Sequence, residues 1–372
     1  MPPLPTRNPP FIVEHIGSLL RPRALTQAFR AFATGEIDAG QFRAAQDEAI
    51  REAIAMQEAH GLKVVTDGEF RRGSYWGHFI EAVDGFTTKP ALFDFHDDHG
   101  ATQRFIAAHV IGRLKRRAGI STEEYKFAAG VAQQAIVKIT LPSPSTLQFW
   151  RGRDGIEKTA YADLDAFFAD LSAIYCDELR DLAALGCRYV QLDEVPLIML
   201  ADPALRDIVR GRGDDPDRLV GLYIDALNQA IAGRVPGMRL GMHMCRGNFK
   251  GKWLAEGGYD AIAERVFNEV AVDVLFLEYD TPRAGDFAPL RFVPREKGVV
   301  LGLVSSKTPT LEDPSKIRRR VEEAARYVPL ERLAISPQCG FASAVSGNPI
   351  TLEDEKAKLR LLLETAREIW RE

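Results

Sequence analysis

The chain has 372 residues, a length that suits one large α/β barrel and is too short for two. Hydrophobic residues make up 46% and charged residues 27%, which excludes disordered, collagen-like and coiled-coil proteins. The formal net charge of −4 gives no positive field that would favour nucleic acid, and the longest apolar runs, about seven residues, are too short to span a bilayer.

The cysteine count and the first residues indicate a compartment. Four cysteines are too few for a disulfide framework in a chain of this size, which predicts a reducing environment. Four prolines in the first nine positions preclude the apolar core of a signal peptide. We therefore expect a soluble, cytoplasmic protein.

Short β-rich runs alternate with longer amphipathic segments along the chain. The predicted strands are 11–16, 62–66, 136–141, 189–192, 239–244, 274–278, 299–304 and 333–336. The predicted helices include 41–60, 164–185, 215–232, 259–269, 315–327 and 353–370, with Asp215-Pro216 as the clearest helix start. Repeated β-α units of this kind predict a parallel sheet.

Two arrangements of such a sheet are possible, and the pattern favours the closed one. An open doubly wound sheet usually carries a phosphate loop, but no Gly-x-Gly-x-x-Gly follows any predicted strand. Eight units instead predict a (β/α)₈ TIM barrel. The alternation breaks down at 74–133, which we interpret as a large insertion after the second strand, and no repeat or linker divides residues 1–372 into further domains.

Polar side chains follow most of the predicted strands. In a (β/α)₈ barrel the carboxyl ends of the strands form one mouth, where active sites lie. The residues concerned are His15, Ser18, Asp67, Glu69, Asp193, Glu194, His243, Cys245, Glu278, Asp280, Gln338 and Cys339. We expect them to converge.

The sharpest local pattern is His243-x-Cys245, because a spacing of two on a strand puts both side chains on one face. With Glu278 and Cys339 from other strand ends, the set offers one imidazole, two thiolates and one carboxylate, which suits tetrahedral zinc. A single buried His or Cys is more often a core residue than a metal ligand. We interpret Cys176 and Cys187 as such structural residues.

The charge of this ligand set indicates its chemistry. Zn²⁺ with two thiolates and a carboxylate carries one net negative charge and is a poor Lewis acid for water. Such a site instead suits the capture of a thiol as its thiolate, with Glu278 expected to yield its place.

Three polar residues at the mouth could bind the other end of a thiol substrate. Ser18, Glu69 and Asp193 offer a hydroxyl and two carboxylates, which suit an ammonium group. The alternative is a set of structural salt bridges to Arg71, Arg72 and Arg246. Trp76 and Trp150 could stack a flat ring, or could simply pack.

Several motifs, in order along nearly the whole chain, resemble a known family. They are HIGSLLRP at 15–22, TDGEFRR at 66–72, VQLDEVP at 190–196, HMCRGN at 243–248, FLEYDTPRAGDF at 276–287, GLVSSK at 302–307 and SPQCGFAS at 336–343. The sequence is similar to the catalytic half of cobalamin-independent methionine synthases, especially the short single-barrel bacterial homologues.

The resemblance implies a (β/α)₈ barrel, a catalytic zinc and methyl transfer to the sulfur of homocysteine, with methyltetrahydrofolate as the donor in full-length enzymes. It implies zinc ligands at His243, Cys245, Glu278 and Cys339. It also implies that Ser18, Glu69 and Asp193 bind homocysteine and that Trp150 lies near the folate ring.

Two departures from the family qualify these expectations. The family has a His at the end of strand seven, thought to handle the proton at the departing nitrogen, and we align Val304 with it. His15 is the candidate substitute as proton donor. The sequence also has no counterpart of the N-terminal barrel of long synthases, so the methyl donor stays open.

Three functions are therefore considered, and none involves a membrane or nucleic-acid partner. The leading hypothesis is a zinc-dependent methyltransferase acting on homocysteine. The first alternative is a related alkyltransferase or carbon–sulfur lyase acting on another thiol, of the epoxide:coenzyme M type. The second is a non-catalytic zinc or thiol carrier; oligomerisation stays open for all three.

Overall fold

The computed structural model describes residues 3–97 and 99–371. The strands are β1 Val64–Val65, β2 Val83–Phe95, β3 Gln103–Arg116, β4 Ile136–Val137, β5 Ile139–Pro142, β6 Tyr189–Glu194, β7 Arg239–Met244, β8 Val274–Glu278, β9 Gly298–Val304 and β10 Leu333–Pro337. The helices are α1 Arg23–Thr34, α2 Ala39–His60, α3 Gly77–Ala82, α4 Thr122–Val131, α5 Thr146–Phe149, α6 Leu164–Ala184, α7 Pro196–Met199, α8 Pro203–Gly211, α9 Pro216–Ile231, α10 Ala263–Glu269, α11 Pro314–Ala324 and α12 Leu352–Trp370. The protein has an α/β fold.

A parallel sheet organises this fold. Six strands pair in the order β5-β6-β7-β8-β9-β10, all parallel, and β1 pairs with β4 in parallel. Parallel strands of this kind are covered on both faces, which explains their continuous apolar sequences. Their carboxyl ends lie at the same edge.

The predicted first strand, 11–16, is reduced to a bridge. Val13 pairs in parallel with Ile335 of β10, and the backbone N–H of Glu14 donates to the Ile335 carbonyl at 2.9 Å. Similarly, only two residues of the predicted strand 62–66 form β1, and the predicted strand 136–141 divides into β4 and β5. These segments are short because few ladder hydrogen bonds form there.

Helix starts follow local capping chemistry. The side chains of Asp202, Asp215 and Asp313 accept hydrogen bonds from the first turns of α8, α9 and α11, and each is followed by Pro at the first helical position. The predicted start at Asp215-Pro216 is thus confirmed.

A long hairpin occupies the middle of the stretch 74–133. Strands β2 and β3 pair antiparallel from Val83 opposite Arg116 to Phe95 opposite Gln103. The sequence pattern gave no strand here because buried and exposed positions do not alternate regularly along β2 and β3. Helices α3 and α4 flank the hairpin.

The buried core has two parts. Most buried apolar side chains form one large cluster between the sheet and the helices. A separate inner cluster contains Ile16, Val64, Ile136, Tyr189, Val274, Phe276, Val300 and Ala334. Its members come from seven of the eight predicted strands.

No helix within the described residues is long and apolar enough to cross a membrane. The cytoplasmic location stays a prediction.

Candidate metal centre

Four predicted ligands lie together at the carboxyl edge of the sheet. His243 is on β7, with Cys245 directly after that strand; Glu278 ends the neighbouring strand β8, and Cys339 follows β10. One ligand atom from each lies within 4.8 Å of the ligand atoms of the other three, and all four residues are buried. The two thiol sulfurs are 3.3 Å apart.

The donor atoms of this cluster fit a metal ion. Both ring nitrogens of His243 and Oε1 of Glu278 are buried without a hydrogen-bond partner among the described residues. Buried polar atoms without partners are costly, and a shared cation would satisfy them. One nitrogen, two sulfurs and one oxygen make a donor set that zinc accepts.

The two thiols differ in acidity. The hydrogen bond from Cys245 lowers the pKa of Cys339 well below its usual value, with further contributions from His243 and Lys307. The same interaction raises the pKa of Cys245. Of the two thiols, Cys339 is therefore the more acidic.

Arg246 and Tyr259 hold Glu278 in place. Oε2 of Glu278 accepts a hydrogen bond from the backbone N–H of Arg246 at 2.8 Å, and the Arg246 guanidinium lies 3.5 Å away. The hydroxyl of Tyr259 accepts from the backbone N–H of Glu278 at 2.8 Å. Arg246 is thus a partner of the metal cluster and not of Glu69 or Asp193.

Lys307 is a residue that the sequence reasoning missed as part of the site. It follows β9, is buried, and its charge acts on Glu278, Asp280 and both thiols of the cluster. A sequence signal for Lys307 was present, because it is the last residue of the GLVSSK motif.

Val304, which we aligned with the family histidine, is fully buried, and its carbonyl accepts from the backbone N–H of Gln338 at 2.7 Å.

A cavity of about 660 Å³ opens beside the cluster. Its lining includes three of the four cluster residues, His243, Cys245 and Cys339. It also includes all the predicted substrate residues: Ser18, Glu69, Asp193 and Trp150. The structure thus brings three of the predicted metal ligands and all the predicted substrate residues to one cavity.

Glu69 and Asp193 are two buried carboxyl groups that line this cavity. Oε1 of Glu69 accepts a hydrogen bond from the Thr140 hydroxyl at 2.7 Å, whereas Oε2 is buried and has no partner among the described residues. Oδ1 of Asp193 accepts from the Gln191 side chain at 2.7 Å. Burial, followed by repulsion from Glu69, raises the pKa of Asp193 to about 7.

The salt-bridge alternative is realised only in part. Arg71 pairs with Asp47 at 2.6 Å, and Arg72 pairs with Glu124 at 2.7 Å while staying 3.6 Å from Glu69 Oε1. One carboxylate oxygen of Glu69 is thus left for a ligand.

Ser18 reaches the cavity because its neighbour is a glycine. A Cβ atom at Gly340 would lie 2.0 Å from the Ser18 hydroxyl oxygen, so a larger residue there would displace that hydroxyl. The backbone N–H of Phe341 donates to the Ser18 carbonyl at 3.0 Å, which ties Ser18 to the segment after Cys339.

Aromatic residues form the opposite wall. The Trp150 ring meets Phe105 of β3 edge to face at a centroid distance of 5.3 Å. Phe95, Phe105 and Ile106 of the hairpin line the cavity together with Trp76. The contribution of the hairpin to the cavity was not predicted.

His15 is not brought to the cavity, and the expectation of a proton donor there needs correction. Its neighbour Ile16 belongs to the inner cluster and lines the cavity, so along the extended chain the His15 side chain faces the other side. Both ring nitrogens of His15 are buried without a hydrogen-bond partner among the described residues, and burial lowers its pKa to about 3. Its predicted role as proton donor has no support from this position.

Comparisons with known proteins agree with this geometry. The family profile described as "Cobalamin-independent synthase, Catalytic domain" matches residues 11–366. The chain is 41% identical to the uncharacterized protein YxjG of Bacillus subtilis, over 99% of this chain and 97% of that protein, and 25% identical to a methionine synthase of Pyrococcus abyssi, over 88% and 85%. The crystal structure of a putative vitamin-B12-independent methionine synthase from Listeria monocytogenes matches with a TM-score of 0.75 and 29% identity, over 100% of both chains. The chain therefore belongs to the family of cobalamin-independent methionine synthases, of which it contains the catalytic domain.

Proposed function

We propose that this protein is a zinc-dependent methyltransferase that transfers a methyl group from a methyltetrahydrofolate-type donor to the sulfur of homocysteine, giving methionine. The observation that carries the proposal is the convergence of His243, Cys245, Glu278 and Cys339 beside a cavity with an unpartnered Glu69 carboxylate oxygen. Membership of the family supports methyl transfer.

The four residues of the cluster would hold the zinc ion. When bound there, zinc lowers the pKa of an incoming thiol so that it reacts as a thiolate at neutral pH. Arg246 keeps the Glu278 carboxylate in the cluster through the backbone N–H described above.

The cavity residues would hold the amino-acid end of homocysteine. Glu69 and Asp193 face the ammonium group, and Ser18 offers a hydroxyl to the carboxylate. This arrangement points the substrate sulfur at the cluster and leaves the aromatic wall around Trp150 for the donor. In the reaction the sulfur forms a bond to the methyl carbon as the bond from carbon to the donor nitrogen breaks, and that nitrogen takes up a proton.

A sulfonate thiol is a poorer acceptor for this site. Its anionic end would face the two carboxylates of Glu69 and Asp193, which repel it. The carrier alternative has no specific support in the cavity geometry.

We also propose that the parallel strands close into a single-domain (β/α)₈ barrel with 74–133 as an insertion. The support is the inner cluster, which draws side chains from seven of the eight predicted strands, as the packed interior of such a barrel would.

Isothermal titration calorimetry tests the proposed acceptor. Zinc-loaded protein should bind L-homocysteine, and the metal-free protein should bind it at least tenfold more weakly, because the zinc–sulfur bond is then missing. The control ligand is 2-mercaptoethanesulfonate, which should bind more weakly than homocysteine. Zinc-dependent binding of the sulfonate without binding of homocysteine would contradict the proposal.

A further inference from the structure

A buried hydrogen-bond network lies behind Glu69, and the catalytic proposal does not use it. At its centre is Arg72, which is fully buried. Its guanidinium donates to the Glu124 carboxylate through Nε at 3.1 Å and Nη2 at 2.7 Å. It also donates to the Thr140 hydroxyl through Nη1 at 2.8 Å and to the Thr140 carbonyl through Nη2 at 2.9 Å.

Thr140 connects this network to Glu69. Its hydroxyl accepts the hydrogen bond from Arg72, so its single hydrogen is free to point to Glu69 Oε1, 2.7 Å away. A hydroxyl held in this way has one orientation. Oε1 of Glu69 is thereby fixed, and Oε2 is the oxygen left without a partner in the described structure.

Glu124 is the main ion-pair partner of Arg72. The Arg72 guanidinium makes its close ion pair with Glu124, at 2.7 Å, and stays 3.6 Å from Glu69. A buried carboxylate paired closely with an arginine has less attraction left for a ligand cation. Because Glu124 balances the charge of Arg72, the negative charge of an ionised Glu69 is left for a ligand cation in the cavity.

The second nearby arginine, Arg21, hydrogen-bonds to backbone carbonyls near Glu69 and not to the Glu69 carboxylate. Arg21 Nη2 donates to the backbone carbonyls of Glu69 and Arg72, at 2.9 and 2.7 Å. Arg21 therefore holds the turn at 69–72 through its backbone.

We propose that Thr140, Arg72 and Glu124 are positioning residues that orient the Glu69 carboxylate for the ammonium group of the amino-acid substrate. The inference rests on the proposed function, because it assumes that the substrate is an amino thiol. Glu124 lies on α4, outside the sheet, so a helix within 74–133 takes part in substrate recognition.

The test compares two ligands that differ only in the ammonium group. Calorimetry on zinc-loaded protein measures the Kd of L-homocysteine and of 4-mercaptobutyrate, which lacks the amine. Thr140→Val has nearly the same shape but no hydroxyl, and it should raise the Kd of homocysteine about tenfold while changing that of 4-mercaptobutyrate less than about twofold. Thr140→Ser retains the hydroxyl and should restore homocysteine binding.

Two further variants complete the design. Thr365→Val is the matched control, because Thr365 is equally buried and its hydroxyl has no partner among the described residues; it should leave both Kd values unchanged. Glu124→Gln leaves Arg72 with Glu69 as its nearest charged carboxylate. This variant should weaken homocysteine binding and leave 4-mercaptobutyrate binding nearly unchanged. Glu124→Gln also decides the question if Thr140→Val fails to fold.

The outcomes separate this inference from the proposed function. Unchanged homocysteine binding in Thr140→Val and Glu124→Gln would overturn the inference while the proposed function stands. An equal loss of both ligands would also overturn it, since that result indicates general disruption of the cavity. Absence of zinc-dependent homocysteine binding in the unmodified protein would contradict the proposed function and the inference together.

Discussion

Cys339 belongs to the four-residue cluster and also lines the neighbouring cavity. Its thiol contacts Cys245 at 3.3 Å, and its neighbour Gly340 packs against Ser18. One short segment thus carries a ligand and shapes the place where the substrate binds. The sequence predicted all four cluster residues, because each lies at or just after the carboxyl end of a recognisable strand and the ligand types match one metal.

Removing this ligand should remove the metal. We predict that Cys339→Ala lowers the zinc content from about one per chain to below about 0.1 after dialysis, because three ligands bind zinc far more weakly than four. Plasma mass spectrometry measures the ratio. Cys176→Ala, which alters a half-buried cysteine outside the cluster, should retain zinc. Full retention of zinc in Cys339→Ala would exclude Cys339 from the site.

Other residue roles could not be predicted from the sequence. His15 was expected to face the cavity, but it is not among the residues that line it. The Arg72–Glu124 pair joins residues 52 positions apart, on a turn and a helix that no local pattern connects. Such contacts depend on the packing of distant segments.

A buried carboxyl group ties helix α12 to the segment that contains Ser18. Glu355, in the first turn of α12, accepts a hydrogen bond from the backbone N–H of Leu20 at 2.8 Å. Burial raises its pKa from 4.5 to about 8. The last helix thereby anchors the segment that presents Ser18.

This raised pKa predicts a pH dependence of stability. A raised carboxyl pKa means that the neutral form is favoured in the fold, so its contribution is complete below pH 4.5 and is lost as pH rises to about 8. The loss is about 1.4 kcal/mol per pH unit for this one group. Glu355→Gln should therefore match the unmodified protein near pH 4.5 and be more stable by several kcal/mol at pH 8.5.

Melting temperatures across pH 4.5–9 test this prediction. Glu353→Gln is the control, because Glu353 is an exposed residue in the same turn, and this variant should follow the unmodified protein. A constant difference between Glu355→Gln and the unmodified protein at all pH values would contradict the assignment.

Most elements of the sheet and its helices could be predicted, and the hairpin could not. The parallel strands are buried on both faces and therefore form continuous apolar runs in the sequence. Capping residues mark the starts of α9, α11 and α12. Strands β2 and β3 lie over the cavity with partly exposed faces, so neither alternation nor a continuous run marks them.

At the scale of the whole molecule, an ion pair joins segments that are far apart in the chain. Lys138 Nζ lies 3.1 Å from Glu14 Oε2, with both side chains fully buried, and the Tyr189 hydroxyl donates to Glu14 Oε1 at 2.9 Å. Lys138 also donates to the carbonyl of His15 at 2.6 Å. Glu14, Lys138 and Tyr189 thus connect the first, third and fourth predicted strands.

Breaking this pair should destabilise the whole fold. Lys138→Met leaves Glu14 buried without its cation, which costs about 3–5 kcal/mol. The double variant Lys138→Met/Glu14→Gln should recover part of that loss, because no unpaired carboxylate is left. Urea unfolding followed by circular dichroism measures both. A single variant as stable as the unmodified protein would show that the pair contributes nothing to the stability of the fold.

Zinc binding by the cluster, and entry of the substrate thiol as a further ligand, can be tested directly. Zinc-edge X-ray absorption on the purified protein, before and after addition of homocysteine, measures the metal and its sulfur neighbours together. We predict two sulfur ligands, from Cys245 and Cys339, before addition and three afterwards. If the atoms bound to zinc do not change on addition of homocysteine, or if the protein contains no zinc, the proposed thiol activation is contradicted.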